Sequence, residues 1–134
     1  MARRSKKTGR WKISGHEYYM AMHFAYQYHE WQKELSGLTD TSKAIQYSDM
    51  PKGNINPDPT GDLVERRERL VRNIDIVEQC ARDADSDLYE WLMLGVTNDG
   101  ITYESLRMLK GIPCGRKMYY DRRRKFYYLL SRKI

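Results

Sequence analysis

The sequence predicts an all-α fold in which two long helices precede a C-terminal helix-turn-helix of three shorter ones. Three observations predict it. Apolar residues recur at spacings of three, four and seven, as in Leu63, Leu70, Ile74, Val77, Ala81 and Ala84, which places them on one helical face. Cap-forming residues stand where such stretches begin, notably Ser14, with Glu17 three positions on, and Thr102. No stretch carries the two-residue alternation of a half-buried strand.

The first helix is expected from Ser14 to about Ser36. Ser14 and Glu17 can reciprocally satisfy the free amides at its start, and Gly37 is its natural stop. Its apolar residues are unusually aromatic: Tyr18, Tyr19, Met22, Phe24, Ala25, Tyr26, Tyr28 and Trp31. So wide a stripe suggests burial on more than one side, or an oligomer contact. Residues 37–59 are expected to be a loop, because Ser48 to Thr60 is dense in Pro, Gly, Asn and Asp, with one helical turn at most over Lys43 to Tyr47.

The second long helix is expected from Thr60 to Ala84. Thr60 can cap it, Asp62 and Glu65 suit its positive end, and Glu65, Arg66, Glu68, Arg69, Arg72 and Asp75 form a solvated face. Antiparallel pairing with the first helix buries both stripes, and a coiled-coil dimer is the competing arrangement. Ser86 is expected to cap a third helix, Asp87 to Val96, with Leu88, Trp91, Leu92 and Leu94 inward. A turn at 97–100 leads to a fourth helix capped by Thr102, with Leu106 and Leu109 inward and Gly111 as its stop. The fifth runs from about Gly115 to Arg132. The chain thus divides into a basic flexible arm, 1–12, and one helical domain, 13–134. Within the domain, 13–84 is the long-helix scaffold and 85–134 the helix-turn-helix.

Charge is segregated along the 134 residues. Residues 1–12 hold six bases and no acid, 13–100 eight bases against sixteen acids, and 101–134 ten bases against two acids. Two basic ends around an acidic middle point to a polyanionic partner. No apolar run approaches the roughly 18 residues of a membrane span. No apolar stretch follows the basic N-terminus, so no secretory signal is expected there. Cys80 and Cys114 lie outside any metal-ligand spacing and read as reduced thiols in a cytoplasm.

The densest basic stretch follows the turn Gly111-Ile-Pro-Cys-Gly115. In the helix after it, Tyr119, Phe126, Leu129 and Leu130 share a face expected to dock on the third and fourth helices, with Met118 extending it. The remaining face carries Arg116, Lys117, Tyr120, Arg123, Arg124 and Tyr127. Recognition helices touch base edges with their first turns and phosphates with later basic residues. Arg116, Lys117 and Tyr120 are therefore expected in a DNA groove, and Arg123, Arg124 and Lys125 on the phosphate backbone. Arg122 is expected to pair with Asp121 or with the acidic middle. Arg3 and Arg4 of the arm complete the expected contacts, in the minor groove or on phosphates.

The segment Ile101-Thr-Tyr-Glu-Ser-Leu106, continued by Gly111-Ile-Pro-Cys-Gly-Arg-Lys-Met-Tyr-Tyr-Asp-Arg-Arg-Arg-Lys-Phe-Tyr-Tyr-Leu-Leu130, resembles the C-terminal part of small proteins of phages and prophages of Gram-positive bacteria. These are grouped with the ArpU/RinA late transcription regulators, whose last helices are similar to the DNA-reading region four of sigma factors. Asp58-Pro-Thr-Gly61 adds to a likeness that covers roughly 45–134. The resemblance implies a phage regulator that binds promoter DNA, with Arg116, Lys117, Tyr120, Arg123 and Arg124 in the reading helix; it is expected to act on host RNA polymerase at phage promoters, as a dimer.

An enzyme is not expected. His16, His23 and His29 form no i, i+4 pair of metal ligands, and no acidic cluster suits two metals. The chain has neither a phosphate-binding glycine loop nor a nucleophile elbow, so neither a cofactor nor a metal is expected. The reading from another class is a phage assembly or interaction protein, such as a packaging subunit or an inhibitor of a host protein. In it the aromatic first helix is the working surface.

Overall fold

The computed structural model describes residues 11–48 and 59–134, with side chains at 11–38 and 61–134. Six α-helices follow one another: α1 (Gly15–Tyr26), α2 (Tyr28–Ser48), α3 (Pro59–Ala84), α4 (Tyr89–Thr97), α5 (Tyr103–Lys110) and α6 (Arg116–Ser131). A short 3-10 turn, Ser86–Leu88, precedes α4. Among the described residues every regular element is helical. The all-α class stands.

The first long helix departs from expectation twice. Ser14 and Glu17 do form the reciprocal cap, with both bonds at 3.1 Å. The helix then divides at Gln27, whose amide N–H turns to the Phe24 carbonyl at 3.2 Å, a 3-10-type tightening. The division lets α1 pack on α6 while α2 packs on α3. Nor does Gly37 stop the helix, which continues to Ser48. The loop expected from residue 37 therefore does not begin there; its part over 49–58 lies outside the described residues. A helical glycine costs only about 1 kcal/mol against alanine, and burial of Leu38 and half-burial of Leu35 on either side of it favour continuation.

The stripe of α3 is buried as the spacing predicts, at Leu70, Ile74, Val77, Ala81 and Ala84, with Cys80 among them. Tyr28, at the start of α2, donates a short hydrogen bond to Glu78, late in α3. That contact fixes the two helices as antiparallel. The expected partner of α3 is thus present, but α6 packs on its stripe as well.

At the next junction Asp85, not Ser86, is the cap. Its carboxylate accepts from the amides of Asp87 and Leu88 at 3.0 and 3.3 Å, which produces the 3-10 turn and delays α4 to Tyr89. Leu88 and Leu92 are buried as expected, and Trp91 and Leu94 only in part. One buried cluster runs through all six helices, and α6 lies at its centre, against α1 and α3.

Candidate nucleic-acid interface

Beyond the Thr102 cap and the Gly111 stop that the sequence reading expected, the end of α5 and the start of α6 are held by aromatic side chains it did not disclose. Thr102 caps α5, its hydroxyl accepting from the Ser105 amide at 3.2 Å. Gly111 ends the helix at φ +61°, a conformation that favours glycine. The Tyr103 hydroxyl crosses the turn and donates to the Cys114 carbonyl at 2.7 Å, while the Tyr103 amide donates to the Tyr120 hydroxyl at 3.2 Å. From α4, the Trp91 indole N–H donates to the Lys110 carbonyl at 3.0 Å. Three aromatic side chains thus fix α5, the turn and α6 relative to one another.

Within this frame Leu106 is buried, but Leu109 is 76% exposed and Met108 73%. The inward placement expected of Leu109 is incorrect. The chain turns at Gly111, and Ile112 enters the core beyond it, its amide directed at the Leu106 carbonyl at 3.4 Å.

The faces of α6 also differ from expectation. Tyr119, Phe126 and Leu130 are fully buried, and Leu129 is half-buried. Met118 is exposed at 44% rather than extending that face. The main docking partners are α1 and α3, not the third and fourth helices of the sequence reading. Because α1 presents the small residues Ala21 and Ala25, both fully buried, it approaches closely and covers Tyr127. The Tyr18 and Tyr127 rings meet edge to face with centroids 5.0 Å apart. The outward placement expected of Tyr127 is therefore overturned.

Arg123 follows Tyr127 inward. Its guanidinium lies over the Tyr120 and Tyr127 rings, 5.4 and 5.5 Å from their centroids, and donates to the Tyr18 hydroxyl at 3.5 Å. Burial works against its charge, but the oxygens of Tyr127 and Tyr18 outweigh that, and its pKa is raised. Burial pushes the Tyr127 phenol up as well. The Arg123 Nε and the hydroxyls of Tyr119 and Tyr127 are buried and find no hydrogen-bond partner among the described residues. This is an arginine used in packing the α1–α6 seam, within cation–π reach of two aromatic rings.

Arg116 and Lys117 are exposed at the head of α6. Arg116 grips both oxygens of Glu104 at 2.8 and 2.9 Å and lies over Tyr120, 5.4 Å from the ring centroid. Tyr120 is half-buried, with its hydroxyl engaged by Tyr103. Arg122 binds Asp85 at 3.0 Å and also Asp121, as the sequence reading expected. At about 100° per residue, the side of α6 opposite its core face carries Lys117, Asp121, Arg124, Lys125, Tyr128 and Arg132. Arg3 and Arg4 lie outside the described residues.

A contact that sequence reasoning missed lies on this outer side. Trp11 packs against Tyr128 with ring centroids 5.7 Å apart, and the Lys125 ammonium sits 5.0 Å from the Trp11 ring centroid. Arg132 covers Tyr128 at 4.8 Å. A lone tryptophan among the bases near the N-terminus was the only signal for it.

Among the described residues, no three His, Cys, Asp or Glu side chains are grouped so as to hold a metal ion, and no helix is long and apolar enough to cross a membrane. No protein-family model, curated protein or solved structure matches the chain.

Proposed function

We propose that this protein binds double-stranded DNA, with α5 and α6 acting as the two helices of a helix-turn-helix. The observation that carries the reading is the asymmetry of α6. One side is built into the core through Tyr119, Phe126, Tyr127 and Leu130. The other holds four bases, Lys117, Arg124, Lys125 and Arg132, over about 22 Å of helix axis. A rigidly seated helix with a basic outer side is what groove insertion needs.

In this reading Lys117 and Arg116 approach base edges from the first turn, and Arg124 and Lys125 neutralise phosphates. Arg123 and Tyr127 hold the helix in place instead of touching DNA. Arg116 must exchange Glu104 for the nucleic acid. That exchange is inexpensive, because an exposed ion pair contributes only about 0–1 kcal/mol. Action as a phage transcription regulator, as a dimer and with host RNA polymerase as partner, rests on the family resemblance alone.

Selection of bound duplex from a random pool tests the reading. A sequence motif that changes when Lys117 is replaced supports it. No enrichment, with no salt-dependent binding by the wild type, overturns it.

A second reading has its own observation. Met108 and Leu109 are the most exposed of the large apolar side chains among the described residues, beside Arg107 and Lys110. That patch suits a protein partner with an acidic, apolar surface. The aromatic first helix, offered by the sequence as the surface for such a partner, is occupied internally only in part, with Tyr19 and Met20 exposed. Phe24 packs on Trp31, and Tyr18 on Tyr127.

A further inference from the structure

We infer that Trp11, Lys125, Tyr128 and Arg132 form a platform on the outer side of α6 that takes backbone phosphates of the same DNA duplex, beyond the contacts of the first turn. The inference rests on the DNA-binding reading and goes beyond it by assigning a further site and its ligand chemistry.

The argument begins with placement. Residues 1–12 and 101–134 are the two basic parts of the chain, separated by an acidic stretch. The tertiary structure joins them at one point. Trp11 lies on the outer side of α6, in contact with Lys125 and Tyr128, and Arg132 extends the row by covering Tyr128. The order Lys125–Trp11–Tyr128–Arg132 places two adjoining rings between two cations.

This arrangement matters chemically. A cation over a ring face is held in place by the ring's quadrupole, while its N–H groups remain directed around the rim. An ammonium or guanidinium so restrained loses less side-chain freedom on meeting a phosphate oxygen than a free lysine would. Nearby, Lys12, Arg132 and Lys133 are exposed. Ahead of Trp11 the sequence adds Arg3, Arg4, Lys6, Lys7 and Arg10 without an acid. Trp11 carries no charge itself, yet it seats the chain beside Lys125 and Tyr128.

Position along α6 supports a contact separate from the reading one. Lys125 and Arg132 lie about 12 and 22 Å along the axis from Lys117. A major groove is about 12 Å wide. With the first turn in the groove, the platform therefore falls at the flanking backbone.

The test measures binding of a labelled duplex of unrelated sequence against salt concentration. It uses the full chain, Trp11→Ala, Trp11→Phe, a Lys125→Gln/Arg132→Gln double variant and a Lys117→Gln/Arg124→Gln double variant, each with its thermal midpoint. Each lost phosphate contact makes the log–log salt slope shallower by about 0.9. The Lys125/Arg132 variant is expected to lose about 1.8, and Trp11→Ala to weaken binding although it removes no charge. Trp11→Phe is expected to retain most of the wild-type behaviour. Wild-type slope and affinity in both Trp11→Ala and the Lys125/Arg132 variant would overturn the platform, while loss in the Lys117/Arg124 variant kept the DNA reading intact. A wild type that binds no duplex overturns both.

Discussion

The hydroxyl of Tyr119 occupies the space a side chain at position 95 would need. A Cβ built on Gly95 would stand 2.0 Å from that oxygen and 3.3 Å from the adjacent ring carbon. Gly95 is a buried position of α4 and Tyr119 a fully buried residue of α6, so this single contact sets how closely the two helices approach.

Gly95→Ala tests it. Helix propensity alone favours alanine by about 1 kcal/mol, whereas overpacking a core typically costs about 1–3 kcal/mol. A contact as close as 2.0 Å puts the steric cost in control, and a net loss of about 2 kcal/mol in denaturant unfolding is expected. Adding Tyr119→Phe should recover most of it, because the nearest remaining atom is then the ring carbon. A double variant no more stable than Gly95→Ala would show that the hydroxyl is not the obstacle.

Tyr119→Phe alone is expected to leave neutral-pH stability unchanged or raise it by about 1 kcal/mol. The hydroxyl it removes is buried and without a partner among the described residues, and such groups cost free energy. Calorimetry of the single variant checks this, and a loss above about 1 kcal/mol would count against it.

Alkaline stability follows from the same burial. Burial pushes the Tyr119 phenol from 10.0 to about 12 and the Cys80 thiol from 9.0 to about 11. Both groups lose their protons more easily in the unfolded chain. The stability they contribute is therefore complete below about pH 9 and is lost as pH rises through 11 to 12. Two pKa units correspond to about 3 kcal/mol for each group. Circular dichroism should show an unfolding transition in this window, shifted to higher pH in Tyr119→Phe; an unshifted transition would mean that other groups control it.

Asp85 has two roles that substitution can separate. It caps the 3-10 turn through the amides of Asp87 and Leu88, and it binds Arg122 of α6 at 3.0 Å in a half-buried pair. Asp85→Asn keeps a good cap but loses the charge, whereas Asp85→Ala loses both. The alanine variant should cost about 1 kcal/mol more than the asparagine variant, the usual value of an N-cap. Equal losses in thermal unfolding would assign the whole effect to the ion pair.

Glu104 is expected to restrain DNA binding. Its exposed ion pair with Arg116, one guanidinium nitrogen shared between both carboxylate oxygens, must open before Arg116 reaches a base or phosphate. Glu104→Gln should therefore strengthen duplex binding up to about fivefold, the equivalent of about 1 kcal/mol. Fluorescence anisotropy at low salt measures it. Weaker binding in that variant would indicate that Glu104 positions Arg116 instead of competing for it.

The sequence by itself determined the all-helical class, most of the helical stretches and several of their ends, but not the helix over 37–48. Ser14 with Glu17, Thr102 and Gly111 carry their local chemistry with them, because caps and left-handed turns depend on neighbours within a few residues. The stripe of α3 was equally legible from its spacing, and so was the pairing of Arg122 with Asp121. Tertiary structure decided the rest. Periodicity groups Tyr119, Phe126 and Leu130 on one side of α6, but aromatic and basic residues alternate around the whole helix. Only the close approach of α1 through Ala21 and Ala25 determines that Tyr127 and Arg123 turn inward. The run through Gly37, the break at Gln27 and the seat of Trp11 on Tyr128 likewise depend on packing between distant segments. Such packing exceeds local propensities of about 1 kcal/mol and leaves no local mark in the chain.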